Sequence, residues 1–272
     1  MLCWIVYNKE DVEKNRRFIE FVSKGLEKYD IKTKRIVLQE IENIEELMEK
    51  DNPILVINRS RKSEIAYLLE KNGARVFNSA RVTEISNDKK DTYEALKGVV
   101  PFMPFTDDVA AIEKFPYVIK SVDGHGGSEV FMVENESDRW KVTERLKHKK
   151  CIAQECASDL GKDVRVYIIG NQIVAAMLRT SAKSFKSNYS LGGNVECYQL
   201  NDNEMNMVKK ILNKIPLDYG AVDFIFHNGQ PVFNEIEDAA GARMLYENTD
   251  MDIVRMFVEY IVEAIGIKNK VM

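Results

Sequence analysis

Asp223, in the apolar run Ala221-Val-Asp-Phe-Ile-Phe226, and Glu235 and Glu237, in Val232-Phe-Asn-Glu-Ile-Glu237, put three carboxylates on two neighbouring apolar segments. Side chains alternate along a strand, so Glu235 and Glu237 share one face while Asn234 and Ile236 point to the other. Like charges this close require a cation. Hard oxygen donors suit Mg²⁺, which usually bridges substrate phosphates rather than sitting in an all-protein cage. The two segments flank Asn228-Gly229. A two-residue turn there sets Asp223 opposite Asn234, facing away from the glutamates. A three-residue loop, His227-Asn228-Gly229 with Gly229 left-handed, returns all three acids to one face, so an odd loop is predicted.

A second group is Lys120, at the end of an apolar strand, followed by Ser121-Val-Asp-Gly-His-Gly-Gly-Ser128. Glycines let backbone N–H groups approach an anion closely, and the lysine supplies counter-charge, so strand, loop and strand suit a nucleotide phosphate. The spacing is not that of a Walker motif, and alone Gly124, Gly126 and Gly127 read as a hairpin tip. A third group is basic. Arg165 and Arg179 fall on adjacent strands, and Lys183, Lys186 and Asn188 follow in a polar stretch ending at Gly192-Gly193. Guanidinium donors match phosphate or carboxylate oxygens, although singly each residue reads as a surface charge.

These groups need elements to position them. Residues 2–7, 34–38, 53–58 and 75–77 read as strands, and 12–29, 41–50 and 64–71 as helices, giving a small open α/β unit over residues 1–85. No glycine-rich turn follows its first strand, so this unit is not itself a dinucleotide site. Residues 89–98 are helical and Pro101 and Pro104 break the helix. Strands follow at 117–122, 129–134 and 151–156, with a charged helix near 138–147. Hairpins are predicted at 164–178 about Gly170-Asn171 and at 220–237, and helices at 205–215 and 250–265.

At 45% hydrophobic and 30% charged, the 272 residues can bury a sizeable core, which excludes disorder, collagen and coiled coil. Thirty-nine basic against 43 acidic residues, net charge −4, argue against a nucleic-acid binder that relies on phosphate neutralisation. No apolar run approaches the roughly 18 residues of a membrane span, and residues 1–10 lack a signal-peptide pattern, so a cytoplasmic protein is expected. Cys3, Cys151, Cys156 and Cys197 form no C-x-x-C pair, and His125, His148 and His227 no H-x-x-x-H pair, so no zinc site is expected.

Taken in order and spacing, Asn87-Asp-Lys89, Tyr117-Val-Ile-Lys120 with its glycine loop, Ile152-Ala-Gln-Glu155, Gly161-Lys-Asp-Val-Arg165, Ala176-Met-Leu-Arg179, Phe185-Lys-Ser-Asn188 and Asn234-Glu-Ile-Glu237 resemble the ATP-grasp superfamily. Within it they are most similar to the RimK-like carboxylate-amine ligases, over about residues 87–265. The resemblance implies an α/β (α+β) chain: an N-terminal preATP-grasp unit, residues 1–85, then an ATP-grasp module, 86–272, with lobes of about 86–155 and 156–272 and antiparallel sheets. It implies that Lys89 and Lys120 hold the ATP phosphates under the loop of Gly124, Gly126, Gly127 and Ser128. Gln154 and Glu155 would lie at the adenine hinge, and Asp163 would take the ribose hydroxyls. Asp223, Glu235 and Glu237 would bind two Mg²⁺, with Mn²⁺ as a substitute. Arg179 would neutralise the transferring phosphoryl group, Asn188 would assist, and Arg165 would face the carboxylate substrate or the phosphoryl group.

The implied reaction converts a carboxylate to an acyl phosphate that an amine then attacks, with small-molecule substrates and a homo-oligomer expected. A ligase with a peptide, protein or thiol acceptor is the second reading, and a non-catalytic nucleotide-binding regulator the third. Two departures stand out. The family commonly has asparagine, in an N-x-S-P-G-like run, where this chain has Glu237 followed by Asp238-Ala-Ala-Gly-Ala-Arg243. The extra charge should tighten metal binding or change the ion number. The family's His-Arg-Gly-Gly reads Ser190-Leu-Gly-Gly193. A basic group expected near the substrate is thereby missing, and Arg243 is a candidate replacement by position only.

Overall fold

The computed structural model describes residues 1–182, 184–187 and 193–267. The strands β1 (Leu2–Tyr7), β2 (Lys32–Val37), β3 (Leu55–Asn58) and β4 (Arg75–Phe77) form a parallel sheet in the order β2-β1-β3-β4. The central strand β1 is almost wholly buried, as expected where helices cover both faces of a parallel sheet. Helix Arg16–Glu27 lays Phe18, Val22 and Leu26 on one face, four residues apart, and Ala66 and Leu69 of helix Ser63–Lys71 pack with Trp4, Val56 and Val76 on the other. The single helix expected over 12–29 is split into Lys9–Val12 and Arg16–Glu27. The interruption carries no apolar residue, and the Asn15 amide donates back to the Asp11 carbonyl at 2.8 Å, competing with a continuous helix.

Beyond helices Ala80–Ser86 and Lys89–Leu96 come β5 (Phe105–Thr106), β6 (Tyr117–Ser121), β7 (Val130–Val133) and β8 (Cys151–Glu155), an antiparallel sheet in the order β5-β8-β6-β7. Helix Glu136–Arg145, whose N-cap Asn135 accepts from Asp138 N, packs Val142 against Tyr117, Ile119 and Val133. The third sheet holds β9 (Asp159–Ile169), β10 (Gln172–Thr180), β11 (Asn194–Cys197), β12 (Tyr219–His227) and β13 (Gln230–Glu237), in the order β11-β10-β9-β12-β13. One of its faces, with Val166, Val222 and Phe224, packs on helix Asp202–Lys214. The other, with Tyr167, Tyr219 and Ala221, shares a core with helix Ile253–Ala264 and with Ile5, Phe18 and Leu26 of the N-terminal unit. No described helix is long and apolar enough to cross a membrane.

The β12–β13 connection corrects the odd loop. His227 pairs with Gln230, so the turn is Asn228-Gly229 alone, both left-handed with φ of 51° and 71°. Register is recovered inside the strand. Phe224 faces Phe233, yet Asp223 faces Glu235, leaving Asn234 as the extra residue of a β-bulge. The bulge does what the odd loop was expected to do. It brings Asp223 and Glu235 to one face, with Glu237 opposite Ala221.

Candidate active site

The second and third sheets face each other across a slot, and β8 runs into β9 through the three residues 156–158 at its closed end. Gln154, buried, donates from Nε2 to the Met103 carbonyl at 3.0 Å, so its amide fastens the preceding segment while the residue lines the slot. Glu155 lines it too, its side chain exposed and its N–H donating to Pro104 O at 2.9 Å. Leu160, 52% exposed although apolar, gives the slot a hydrophobic wall suited to a planar ring.

Lys120 and Lys89 stand at the other end. Lys120, on β6, is buried. Its Nζ donates to Asn234 Oδ1 at 3.0 Å and to the Tyr93 hydroxyl at 3.3 Å. Burial pushes it down to about 8, against the opposing pull of Glu235. Lys89 opens a helix capped by Asp88; its Nζ donates to the Gly124 carbonyl and lies 3.9 Å from Glu235 Oε2. The glycine loop turns through Gly126 and Gly127, with φ of 62° and 75°, and Lys186 Nζ donates to Gly127 O at 2.6 Å. Gly124 and Gly127 line the slot. Gly126 and Ser128 face a neighbouring cleft instead, and the Ser128 hydroxyl is turned back to His125 O at 3.0 Å. His125, in the same loop, is pushed down to about 4 by burial and by Arg61.

A row of cross-strand ion pairs crosses the third sheet. Arg165 on β9 grips Asp223 on β12 with both Nε (2.9 Å) and NH2 (2.7 Å). Arg179 on β10 grips Asp163 on β9 at 2.5 and 2.8 Å and reaches Asp223 Oδ2 at 2.8 Å. Burial alone would raise Asp223, but the two guanidiniums outweigh it and hold the carboxyl below its usual range. Glu235 behaves oppositely: burial, joined by Asp223 and Glu237, raises it despite Lys89 and Lys120. Burial would likewise raise Glu237, yet Arg61, Arg165 and His125 keep it low.

Among the described residues no three Asp, Glu, His or Cys side chains converge as the ligands of one ion, and each of the three acids has a cation beside it. The donor set nevertheless suits Mg²⁺. Glu235 and Glu237 are hard oxygen ligands two residues apart on one strand, and Glu235 lines the slot while Glu237 lines the neighbouring cleft. Asp163 and Asp223, expected at the ribose and the metal, are both held by arginine. Asn234, expected to face away, is turned by the bulge onto Lys120. Asn188 lies outside the described residues, as do Lys183 and residues 190–192.

The neighbouring cleft, of about 940 Å³, is lined by Arg165, Arg179, Glu237, the glycine loop and Arg243, and by Lys14, Arg16, Arg17 and Arg61 of the N-terminal unit. Sequence reasoning missed Tyr93 and Arg61. Arg61 was within reach of it, since it closely follows β3 at the C-terminal edge of a parallel sheet, where ligands of open α/β sheets bind.

Two sheets clasping a slot, two lysines and a glycine loop at one end, and acids on the terminal hairpin define the ATP-grasp class. Residues 102–261 match the RimK-like ATP-grasp domain. The chain is 32% identical to "Uncharacterized protein MG011" of Mycoplasma genitalium, over 95% of its own length and 91% of that protein's. It is 28% identical to a "Probable alpha-L-glutamate ligase" of Methanococcoides burtonii, covering 71% of this chain and 68% of the other. Among solved structures, the ATP-grasp ligase PsnB complexed with minimal precursor superposes with a TM-score of 0.71 at 18% identity, over 97% and 98% of the two chains. The chain belongs to the RimK-like ATP-grasp family.

Proposed function

We propose that this protein is an ATP- and Mg²⁺-dependent ligase that joins a carboxylate to an amine through an acyl phosphate. The observation that carries this reading is the meeting of two cavities: Gly124 lines both the slot and the cleft, and Glu235 faces the first while Glu237 faces the second. A phosphoryl group in the slot and a carboxylate in the cleft thus meet beside the acids and arginines. Lys89 and Lys120 hold the phosphates, Leu160 and the backbone of 155–157 receive the base, and Asp163 serves the ribose when Arg179 turns to phosphate. Glu235 and Glu237 would hold the metal, with Asp223 beside them holding Arg165 and Arg179 in place. Mg²⁺ bound there neutralises phosphate charge and orients the γ-phosphoryl group. A substrate carboxylate oxygen attacks the γ-phosphorus and ADP leaves, Arg179 and Arg165 meeting the negative charge. The amine then attacks the acyl carbon, phosphate leaves, and the nitrogen loses a proton. No protein nucleophile is needed.

Glu235→Gln tests the assignment. It should abolish ADP formation while leaving the melting temperature within about 2 °C of wild type; undiminished ADP release refutes the metal role. A peptide acceptor is the second reading, for which the open cleft of about 940 Å³ beside the glycine loop offers room. A mass increase on a peptide pool incubated with Mg-ATP distinguishes the two.

A further inference from the structure

Arg61 lies three residues beyond the end of β3 and adopts φ of 60°, a left-handed conformation that a residue with a side chain rarely adopts. The turn that imposes it is pinned several times over. Asn58 Oδ1 accepts from Ser60 N (3.2 Å) and Oγ (2.6 Å), Asn58 Nδ2 donates to Lys62 O (3.3 Å), and Asn8 Nδ2 donates to Ser60 O (2.8 Å).

The guanidinium this turn projects is held unevenly. NH1 donates to buried Asp11 at 2.9 Å, whereas NH2 only approaches Glu237 Oε1, at 3.5 Å, beyond an ordinary N–H···O distance. Nearby Arg59 shows what a structural arginine looks like. Its NH2 lies 2.8 and 3.0 Å from the carbonyls of Ala239 and Ala240, and its guanidinium stacks 4.1 Å from the Phe18 ring. Arg61 is anchored firmly on its own unit and loosely on the acid across the cleft.

We propose, resting on the metal reading above, that Arg61 is a positioning residue for Glu237. It is that carboxylate's counter-ion in the metal-free site. Tethered by Asp11, it yields Glu237 to an arriving divalent cation and leaves its NH2 edge on the cleft wall near Arg165 to meet a carboxylate-bearing substrate. Metal loading and substrate recognition are then linked through one residue supplied by the N-terminal unit.

The test is Mn²⁺ binding to the full-length, ADP-saturated protein, read by electron paramagnetic resonance. Arg61→Met should bind Mn²⁺ on the order of tenfold tighter than wild type, because a competing cation has gone. Arg61→Lys, which keeps the charge, should stay within about threefold. Arg61→Gln replaces Arg61→Met if the latter does not keep the wild-type melting temperature. Damage to the fold would loosen the metal, so tightening cannot arise from it. Unchanged or weaker Mn²⁺ binding in the neutral variant, with Glu237→Gln still weakening it, overturns the role of Arg61 alone. No effect of Glu237→Gln removes the metal reading and this proposal with it.

Discussion

Lys120 is a cation enclosed by a phenol, an amide and apolar strands, and the phosphate-binding role proposed for it depends on keeping a proton that burial disfavours. Its folded value of about 8 lies below the roughly 10.4 of an unfolded lysine, so between the two the unfolded chain binds the extra proton. Its contribution to stability is therefore complete only at high pH and is lost as pH falls through about 8. Nucleotide binding responds the other way. ADP must restore the proton above about pH 8, so its dissociation constant should be flat below that value and rise up to about tenfold per pH unit above it. Calorimetric titrations check this, and a flat profile contradicts the assignment of Lys120 to the phosphates. Asp238 carries the opposite sign. Burial and Glu237 push it up to about 6, and its oxygens lack well-formed hydrogen bonds, neighbouring Asn87 included. A raised carboxyl stabilises fully below its unfolded value and loses that contribution as pH rises through about 6. In metal-free protein, Asp238→Asn should thus gain about 3 kcal/mol near pH 8, about half as much near pH 5 and nothing below about pH 3, measured by thermal melts. Lys120, its glycine loop and the three acids were legible as residue types at set spacings. The pairing of Arg61 with Glu237 was not, because the two lie 176 residues apart and only the fold brings them together.

Among elements, the terminal hairpin shows where strand alternation stops being a sufficient guide. The pattern called for the acids to share a face, and they do, but through a bulge at Asn234 that no periodicity announces and that also delivers this amide to Lys120. The Gly170-Asn171 hairpin was readable because its turn chemistry is local: both residues are left-handed and Ile169 pairs with Gln172. Gly161 on β9 has a less visible task. Its φ is 67°, a Cβ there would lie 2.4 Å from Ser181 O and 2.8 Å from Ser184 O, and its N–H donates to Phe185 O at 2.9 Å. It lets the segment carrying Phe185 and Lys186 close on the slot. Gly161→Ala should cost about 2–3 kcal/mol and weaken ADP binding, whereas Gly73→Ala, also left-handed but with open space around it, should cost about 1 kcal/mol and leave binding alone. Equal binding in the two variants contradicts the account of Gly161.

Across the whole molecule, the cleft depends on the N-terminal unit and the ATP-grasp module being fastened together, and the chain's last described helix does much of this. Gly25 of helix Arg16–Glu27 packs so closely on helix Ile253–Ala264 that a Cβ would meet Val258 Cγ2 at 2.8 Å. Ile253, Val254, Phe257, Val258, Ile261 and Val262 are buried there, each worth about 1.5–3 kcal/mol. Removing residues 253–272 should therefore abolish cooperative melting, since the loss rivals the roughly 5–15 kcal/mol that holds a domain together. The sequence revealed the order of strands and helices but not this joint, because an amphipathic helix does not disclose which surface covers it. The central claim, carboxylate activation where slot and cleft meet, is tested most directly by incubating the protein with Mg-ATP, a dialysed-back metabolite extract and hydroxylamine, which traps an acyl phosphate as a hydroxamate. The account predicts a hydroxamate formed in step with ADP and absent with Glu235→Gln. ADP binding that raises the melting temperature, with neither hydroxamate nor ADP formed by the wild-type protein, would contradict it.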